Sequence, residues 1–243
     1  MKLKFLGTRG YIEPKTRRHS NHTSLMVIQN KKKIMIDCGE TFKTKLKKIK
    51  PDHIVITHAH PDHAFGLENG VSCPVWATKT TWKLIDKFPI EKKYRKIIYP
   101  RKPQKIEKIT FEAFEVLHSV KAPAVGFRIS YKKKAFFYVP DVLWIEKRKA
   151  AFKNIIFYIG DGATILRNMV RKDKTTNELY GHANIRQQLT WCKKGKAEKM
   201  IITHLGSDIV KNEKKAKKII EKLAKEREVD FEIAYDGMEI ALD

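Results

Sequence analysis

The stretch His58-Ala59-His60-Pro61-Asp62-His63 decides the fold of this protein. It places three imidazoles and one carboxylate directly after the apolar, β-branched run 53–57, which we predict to be a β-strand. Alternate residues of an extended or tightly turned loop point to one side, so His58 and His60 can reach the same ion. Burying these groups without partners would be costly, which favours a metal site over a polar surface loop.

Three more residues of the same kinds stand at the ends of later predicted strands. His118 and His204 each follow an apolar run directly, and Asp141 follows another after Pro140. Taken alone, each would be read as a capping or surface residue. Together with the first motif they supply ligands for two metal ions, and this mixture of nitrogen and oxygen donors suits zinc, with manganese, iron or cobalt as alternatives.

Short strands dominate the first half of the chain, and helices alternate with strands in the second half. We predict strands over residues 3–6, 24–29, 33–37, 53–57, 97–99, 110–117, 124–131, 135–139, 155–159, 199–203, 231–235 and 238–242. We predict helices over residues 41–49, 80–88, 185–193 and 210–228. No linker or repeat interrupts this pattern, so residues 1–243 are expected to form one α/β domain in which helices flank two packed sheets.

Composition limits the partners and the compartment. The formal charge of +24 attracts anions, including nucleic acid, phosphorylated molecules and membrane surfaces, although a solvated lysine-rich surface of a heat-adapted protein has the same composition. Three cysteines are too few for a disulfide framework, and no segment approaches the ~20 apolar residues that a membrane span needs. We expect a cytoplasmic protein without a membrane segment, and leave open whether it forms a homodimer.

The order of these motifs resembles the metallo-β-lactamase superfamily. Three flanking motifs are similar to the branch that holds ribonuclease Z and the cyclic-phosphate phosphodiesterases of phosphonate metabolism: Phe5-Leu6-Gly7-Thr8, Asp37-Cys38-Gly39-Glu40 and Tyr235-Asp236-Gly237-Met238. The resemblance implies a four-layer αββα sandwich with the site along one edge. It implies that one metal is bound by His58, His60 and His118, the other by Asp62, His63 and His204, and that Asp141 bridges them.

The resemblance also implies roles for residues around the metals. His182, in the motif Gly181-His182-Ala183-Asn184 at the start of a predicted helix, would hydrogen-bond a phosphoryl oxygen or protonate the leaving alkoxide. Asp62 or Asp141 would steer the attacking hydroxide. Asp37 is expected to orient the metal ligands by accepting hydrogen bonds.

A basic loop, residues 14–18, offers candidates for substrate binding. Arg17 or Arg18 could clamp a phosphate, because a guanidinium makes paired contacts with its oxygens, although a solvated loop is an equal alternative.

The stretch 66–108 is too short for the arm with which ribonuclease Z grips transfer RNA. We therefore predict a phosphodiesterase that uses two divalent metal ions, zinc first among them, and a metal-bridging hydroxide to hydrolyse a phosphoester.

Three alternatives stay open at this stage. A nuclease that processes RNA or DNA predicts binding that weakens steeply with salt. A glyoxalase-type thioesterase would share the ligand set. A nucleic-acid-binding module with structural metals is disfavoured, because structural zinc sites are usually closed tetrahedra of Cys and His.

Overall fold

The apolar runs of the sequence form two large β-sheets in the computed structural model, which describes residues 1–242. The first sheet contains β1 (Lys2–Gly7), β2 (Ser24–Gln29), β3 (Lys32–Ile36), β4 (His53–Val55), β5 (Val75–Ala77), β6 (Arg95–Ile97) and β17 (Glu239–Ala241). Their order is β17-β1-β2-β3-β4-β5-β6. The pairings from β17 to β3 are antiparallel, and those from β3 to β6 are parallel.

The second sheet contains β7 (Gln104–Ile106), β8 (Ile109–Leu117), β9 (Ala124–Tyr131), β10 (Lys134–Val139), β11 (Trp144–Ile145), β12 (Phe157–Asp161), β15 (Lys199–Thr203) and β16 (Asp230–Ile233). The order is β11-β8-β9-β10-β12-β15-β16, with β7 also paired to β8. A separate antiparallel hairpin joins β13 (Met169–Lys172) to β14 (Leu179–His182).

Seven helices cover the outer faces of the sheets: α1 (Leu46–Ile49), α2 (Pro61–Ala64), α3 (Lys79–Leu84), α4 (Arg148–Ala151), α5 (Ile185–Gly195), α6 (Ser207–Lys211) and α7 (Glu213–Lys225). Helices α1–α3 pack on the first sheet and α4–α7 on the second, each through its own apolar cluster. A third cluster, with Phe5, Phe111 and Phe127, fills the space between the sheets. These layers confirm the predicted αββα sandwich.

The main differences from the prediction concern two predicted helices and one hairpin that was not predicted. The predicted helix 41–49 is a 3-10 turn, Glu40–Phe42, followed by the short α1. The predicted helix 210–228 is divided into α6 and α7 at Asn212, whose side chain accepts a hydrogen bond from the Lys215 amide, 3.0 Å away. Asparagine favours such a cap because its short side chain satisfies an amide at the start of a helix. The hairpin β13–β14 was not predicted, because its exposed residues carry little burial pattern.

None of the helices described within residues 1–242 is long and apolar enough to cross a membrane.

The directions of the strands bring the predicted site residues to one edge. Strands β10, β12 and β15 are parallel neighbours, and β8 runs the same way because β8 and β10 both pair antiparallel with β9. Their carboxyl ends therefore meet, which is where parallel sheets commonly hold ligands. In the first sheet, β3 and β4 are parallel and lead to Asp37 and His58.

Candidate metal centre

The first cluster consists of His58, His60 and His118, whose ring nitrogens face one another. The Thr57 hydroxyl donates to Asp37, so it must accept from His58 Nδ1 at 3.0 Å; His118 Nδ1 donates to the Gly181 carbonyl at 3.2 Å. In both rings Nε2 keeps its lone pair, and the two Nε2 atoms lie 2.9 and 3.2 Å from Nδ1 of His60. A proton on His60 Nδ1 could point at only one of these two Nε2 atoms, whereas a cation between the three nitrogens would satisfy all of them.

The second cluster joins two imidazoles to two carboxylates, all of them buried. His63 Nε2 lies 2.6 Å from Asp141 Oδ2 and 3.3 Å from Asp62 Oδ2, and His204 Nε2 lies 3.1 Å from the same Asp62 oxygen. Within residues 1–242, His63 Nε2 and both Asp141 carboxylate oxygens have no hydrogen-bond partner of good geometry. Buried polar atoms are rarely left unpaired, and these atoms are the ones a metal ion would use.

Asp141 stands between the two clusters. Its Oδ2 is 3.6 Å from His58 Nε2, and its Oδ1 is 3.8 Å from His118 Nε2. The donor atoms of each cluster lie within 4.8 Å of one another. The mixture of imidazole nitrogen and carboxylate oxygen, with one carboxylate facing both groups, fits two neighbouring divalent cations.

Asp37 orients residues next to the clusters by accepting hydrogen bonds. Its carboxylate accepts hydrogen bonds from the Thr57 amide at 2.8 Å and from His63 Nδ1 at 2.8 Å, which leaves His63 Nε2 free for a metal. Asp37 and His204 both adopt left-handed backbone conformations, with φ of 60° and 51°. Such strain costs on the order of 1–3 kcal/mol per residue and concentrates at functional sites.

The protonation states of the site follow from burial and charge. Burial lowers the pKa of His118 to about 4 and that of His58 well below its usual value, so both rings are neutral donors. Burial raises the pKa of Asp141, but the imidazoles of His204 and His118 outweigh it and hold that pKa well below the usual range. Burial lowers the pKa of His204, yet the Asp141 carboxylate raises it to about 10. A cation that binds His204 would therefore displace a proton from its ring.

His182 lies beside both clusters and is held by a residue that the sequence did not reveal. Its Nδ1 donates to Asp161 Oδ2 at 2.7 Å, and Asp161 also accepts from the amides of Val142 at 3.0 Å and Ala163 at 2.8 Å. His182 is the last residue of β14 rather than the start of a helix; α5 begins three residues later, with Asn184 as its N-cap.

Asp161 could have been found by the strand-end rule that located the other ligands. The predicted strand 155–159 stops two residues short of it, whereas β12 continues to Asp161 and pairs it with Thr203, next to His204. The run Gly160-Asp161-Gly162 reads as a turn, which hid this signal.

A cavity of about 950 Å³ opens beside His182 and His204. Its walls include three basic side chains, Arg167, Lys211 and Lys215, and several apolar ones, among them Met169. This volume is in the usual range for a small-molecule site.

The predicted phosphate-binding arginines lie away from this cavity. Arg18 makes a paired contact with Glu213 at 3.0 and 3.2 Å and stacks on Tyr235, 4.2 Å from the ring centre. Arg17 is exposed, and neither arginine lines the cavity among residues 1–242. The guanidinium of Arg18 is therefore already engaged.

The fold and the two clusters define a class, the metal-dependent hydrolases with an αββα sandwich. The chain belongs to the family described as the β-lactamase superfamily domain, which matches residues 32–205. Two predictions are confirmed: the chain belongs to this superfamily, and the family is one of metal-dependent hydrolases.

Similar proteins point to one branch of the family. Ribonuclease Z of Methanococcus aeolicus is 31% identical over 159 residues, a match that covers 55% of this chain and 48% of the relative. Ribonuclease Z of Pediococcus pentosaceus is 38% identical over 78 residues, which cover 30% of this chain and 25% of the relative. The matches thus span about a quarter to a half of the length of these relatives.

Solved structures share the fold over the whole chain. The metallo-β-lactamase fold protein YhfI from Bacillus subtilis has a TM-score of 0.73 and 18% identity, covering 98% of both chains. A diphosphatase from the PhnP family has a TM-score of 0.70 and 15% identity, covering 100% of this chain and 98% of its own. The short form of human tRNase Z has a TM-score of 0.67 and 18% identity, covering 100% of both.

Proposed function

We propose that this chain is a phosphodiesterase that uses two divalent metal ions. The observation that carries the proposal is the Asp161–His182 pair, which places an ionisable ring beside both metal clusters and at the mouth of the cavity. Hydrolysis of a phosphodiester needs a proton for the leaving alkoxide, and this ring is placed to supply it. The names of the relatives, ribonuclease Z and diphosphatase, support the same class of substrate.

The proposed ligands follow from the converging lone pairs. One ion would be held by His58, His60 and His118, the other by Asp62, His63 and His204, with Asp141 shared between them. When bound, such ions lower the pKa of water and stabilise charge on phosphoryl oxygens. We propose zinc because nitrogen donors predominate.

The residues of the chain would divide the remaining work. Burial lowers the pKa of His182, but the Asp161 carboxylate prevails and raises it above the usual value, so the ring can hold the proton that the leaving group takes. The carboxylates of Asp62 and Asp141 would orient the attacking water by accepting its hydrogen bond. Asp37 would keep His63 in the tautomer that binds metal.

A nuclease is the second candidate. The charge of +24 and the basic residues around the cavity, Arg167, Lys211 and Lys215, favour a substrate with several phosphates.

We also propose that residues 1–243 form one domain, because β1 and β17 pair and bring the two ends of the chain into one sheet. Three free cysteines support a reducing compartment, the cytoplasm.

The test combines metal analysis with turnover of an alkyl phosphodiester, an aryl phosphodiester and a thioester. The wild-type protein should bind two equivalents of zinc and cleave both phosphodiesters. His60→Ala should lose metal and turnover, whereas His182→Ala should keep the metals and lose turnover of alkyl phosphodiesters. His53→Ala, which removes contacts with Glu107 and Trp76 but none with the two clusters, is the matched control and should match the wild type. Cleavage confined to the thioester would overturn the proposal.

A further inference from the structure

The hairpin β13–β14 projects from the protein next to the candidate metal centre. Met169, Val170 and Leu179 are 49, 43 and 50% exposed, an unusual amount for apolar side chains on a two-stranded ribbon. The base of the hairpin is fixed, because the Gly181 amide donates to the His118 carbonyl at 2.8 Å and the Gly181 carbonyl accepts from the His118 ring. The exposed side chains therefore have a set position relative to the site.

The register of the hairpin sorts its side chains onto two faces. Met169 pairs with His182 and Arg171 with Tyr180, and these alternate pairs share one face. Gly181 and its partner Val170, with Lys172 and Leu179, belong to the opposite face. Arg171 and Tyr180 are thus on the face of His182, two residues, or roughly 6.6 Å, further out along the ribbon.

This face offers what a nucleotide needs. The Tyr180 ring can stack on a base of any sequence, and the Arg171 guanidinium suits phosphate oxygens. Met169 extends this face to the cavity. The cavity lining contains three basic residues, Arg167, Lys211 and Lys215, and one carboxylate, Asp208. Basic residues interleaved with an aromatic ring are typical of grooves that bind single strands.

We propose that this face of the hairpin binds the leaving-group side of a single-stranded polynucleotide, with its first base and phosphate beyond the cleaved bond on Tyr180 and Arg171. The inference rests on the proposed phosphodiesterase function and narrows its substrate from small phosphodiesters to strands. A strand that enters here passes His182, so its leaving oxygen would lie beside that ring.

The test compares the two faces of the same hairpin. Binding of fluorescein-labelled 12-nucleotide RNA and DNA strands is measured by fluorescence anisotropy at several salt concentrations. Tyr180→Ala should weaken binding roughly 5- to 100-fold through lost stacking. Arg171→Ala should reduce the slope of log affinity against log salt by about 0.7, the loss of one phosphate contact. The matched controls, Leu179→Ala and Lys172→Ala on the opposite face, should bind as the wild type does.

Turnover separates this inference from the proposed function. For Tyr180→Ala and Arg171→Ala, kcat/KM should fall further for the strands than for an aryl phosphodiester, whereas the two controls should keep both values. Equal losses of affinity on the two faces, or wild-type binding by all four variants, would overturn the inference. Turnover of the aryl phosphodiester would still support the proposed function in that case. Face-dependent binding by a protein that hydrolyses no phosphodiester would contradict the proposed function alone.

Discussion

Thr57 shows how one side chain can prepare a metal site. Its amide and hydroxyl both donate to Asp37, and its hydroxyl oxygen accepts from His58 Nδ1. Through Asp37 it also holds His63, so one residue orients an imidazole of each cluster. Contacts of this kind raise metal affinity without touching the metal.

Thr57→Val keeps the shape of the side chain and removes the hydroxyl. We expect metal affinity to fall roughly 10- to 100-fold, because Asp37 and His58 lose the hydrogen bonds that orient them. Competition with a chromophoric chelator measures the change. Thr57→Ser, which retains the hydroxyl, should restore most of the affinity, and unchanged affinity in the valine variant would contradict the assignment.

Asp161 has a different role at the same scale, because it holds His182. Asp161→Asn should keep both metals and slow the cleavage of alkyl phosphodiesters by about 10²-fold or more, the usual contribution of a general acid. Phosphodiesters with a 4-nitrophenolate leaving group need less help from a proton and should lose much less. Equal losses for the two leaving groups would show that Asp161 supports the structure only.

At the scale of elements, the loop 14–21 is held against the start of α7. Glu213 accepts from Arg18 at 3.0 and 3.2 Å and lies 3.1 Å from the buried ring of His19. This loop carries Arg17 and Arg18, the candidates for binding phosphate, and in the structure Arg18 connects the loop to α7.

Glu213→Gln tests this connection through pH. Burial raises the pKa of Glu213, but Arg18 and His19 lower it below the usual 4.5, so the contact stabilises the fold above pH 4.5 and is lost as pH falls through the lower, folded-state pKa. The variant should lose up to about 1 kcal/mol of unfolding free energy at pH 7, and this difference should shrink under acid. Urea unfolding of both proteins at pH 7 and at a pH below 4.5 measures the difference in unfolding free energy. A difference that is independent of pH would contradict the charge-based account.

Long strands were predicted well and short helices poorly, for a physical reason. The strands β8, β9 and β15 bury alternate or consecutive apolar residues, because each contacts the core along most of its length. Helices α1 and α2 have four residues each, too few for a helical period, and form because the surrounding chain holds them.

At the scale of the whole molecule, the candidate metal centre joins the two sheets. Asp37, His58 and His63 follow the first sheet, whereas His118, Asp141 and His204 follow the second. Metal ions bound between them would connect both halves of the sandwich. The stability of the molecule should therefore depend on the metals.

Chelation tests this dependence. Ions that bind only the folded state at a thousandfold excess over Kd stabilise it by about 4 kcal/mol. Removing them with EDTA should lower Tm by roughly 10 °C, at 2–4 °C for each kcal/mol in a protein of this size. Differential scanning calorimetry measures the shift, with His60→Ala expected to respond much less; a Tm that EDTA leaves unchanged would show that the metals do not link the sheets.

The sequence by itself located the residues that meet at the candidate metal centre, because they stand in one short motif or directly after apolar runs that form strands: His58, His60, Asp62, His63, His118, Asp141 and His204. Only the tertiary structure decided the pairing of Asp161 with His182, the engagement of Arg18 and the face of the hairpin that carries Tyr180. These depend on contacts between residues far apart in the chain, and no local pattern in the sequence records which distant partner a side chain meets.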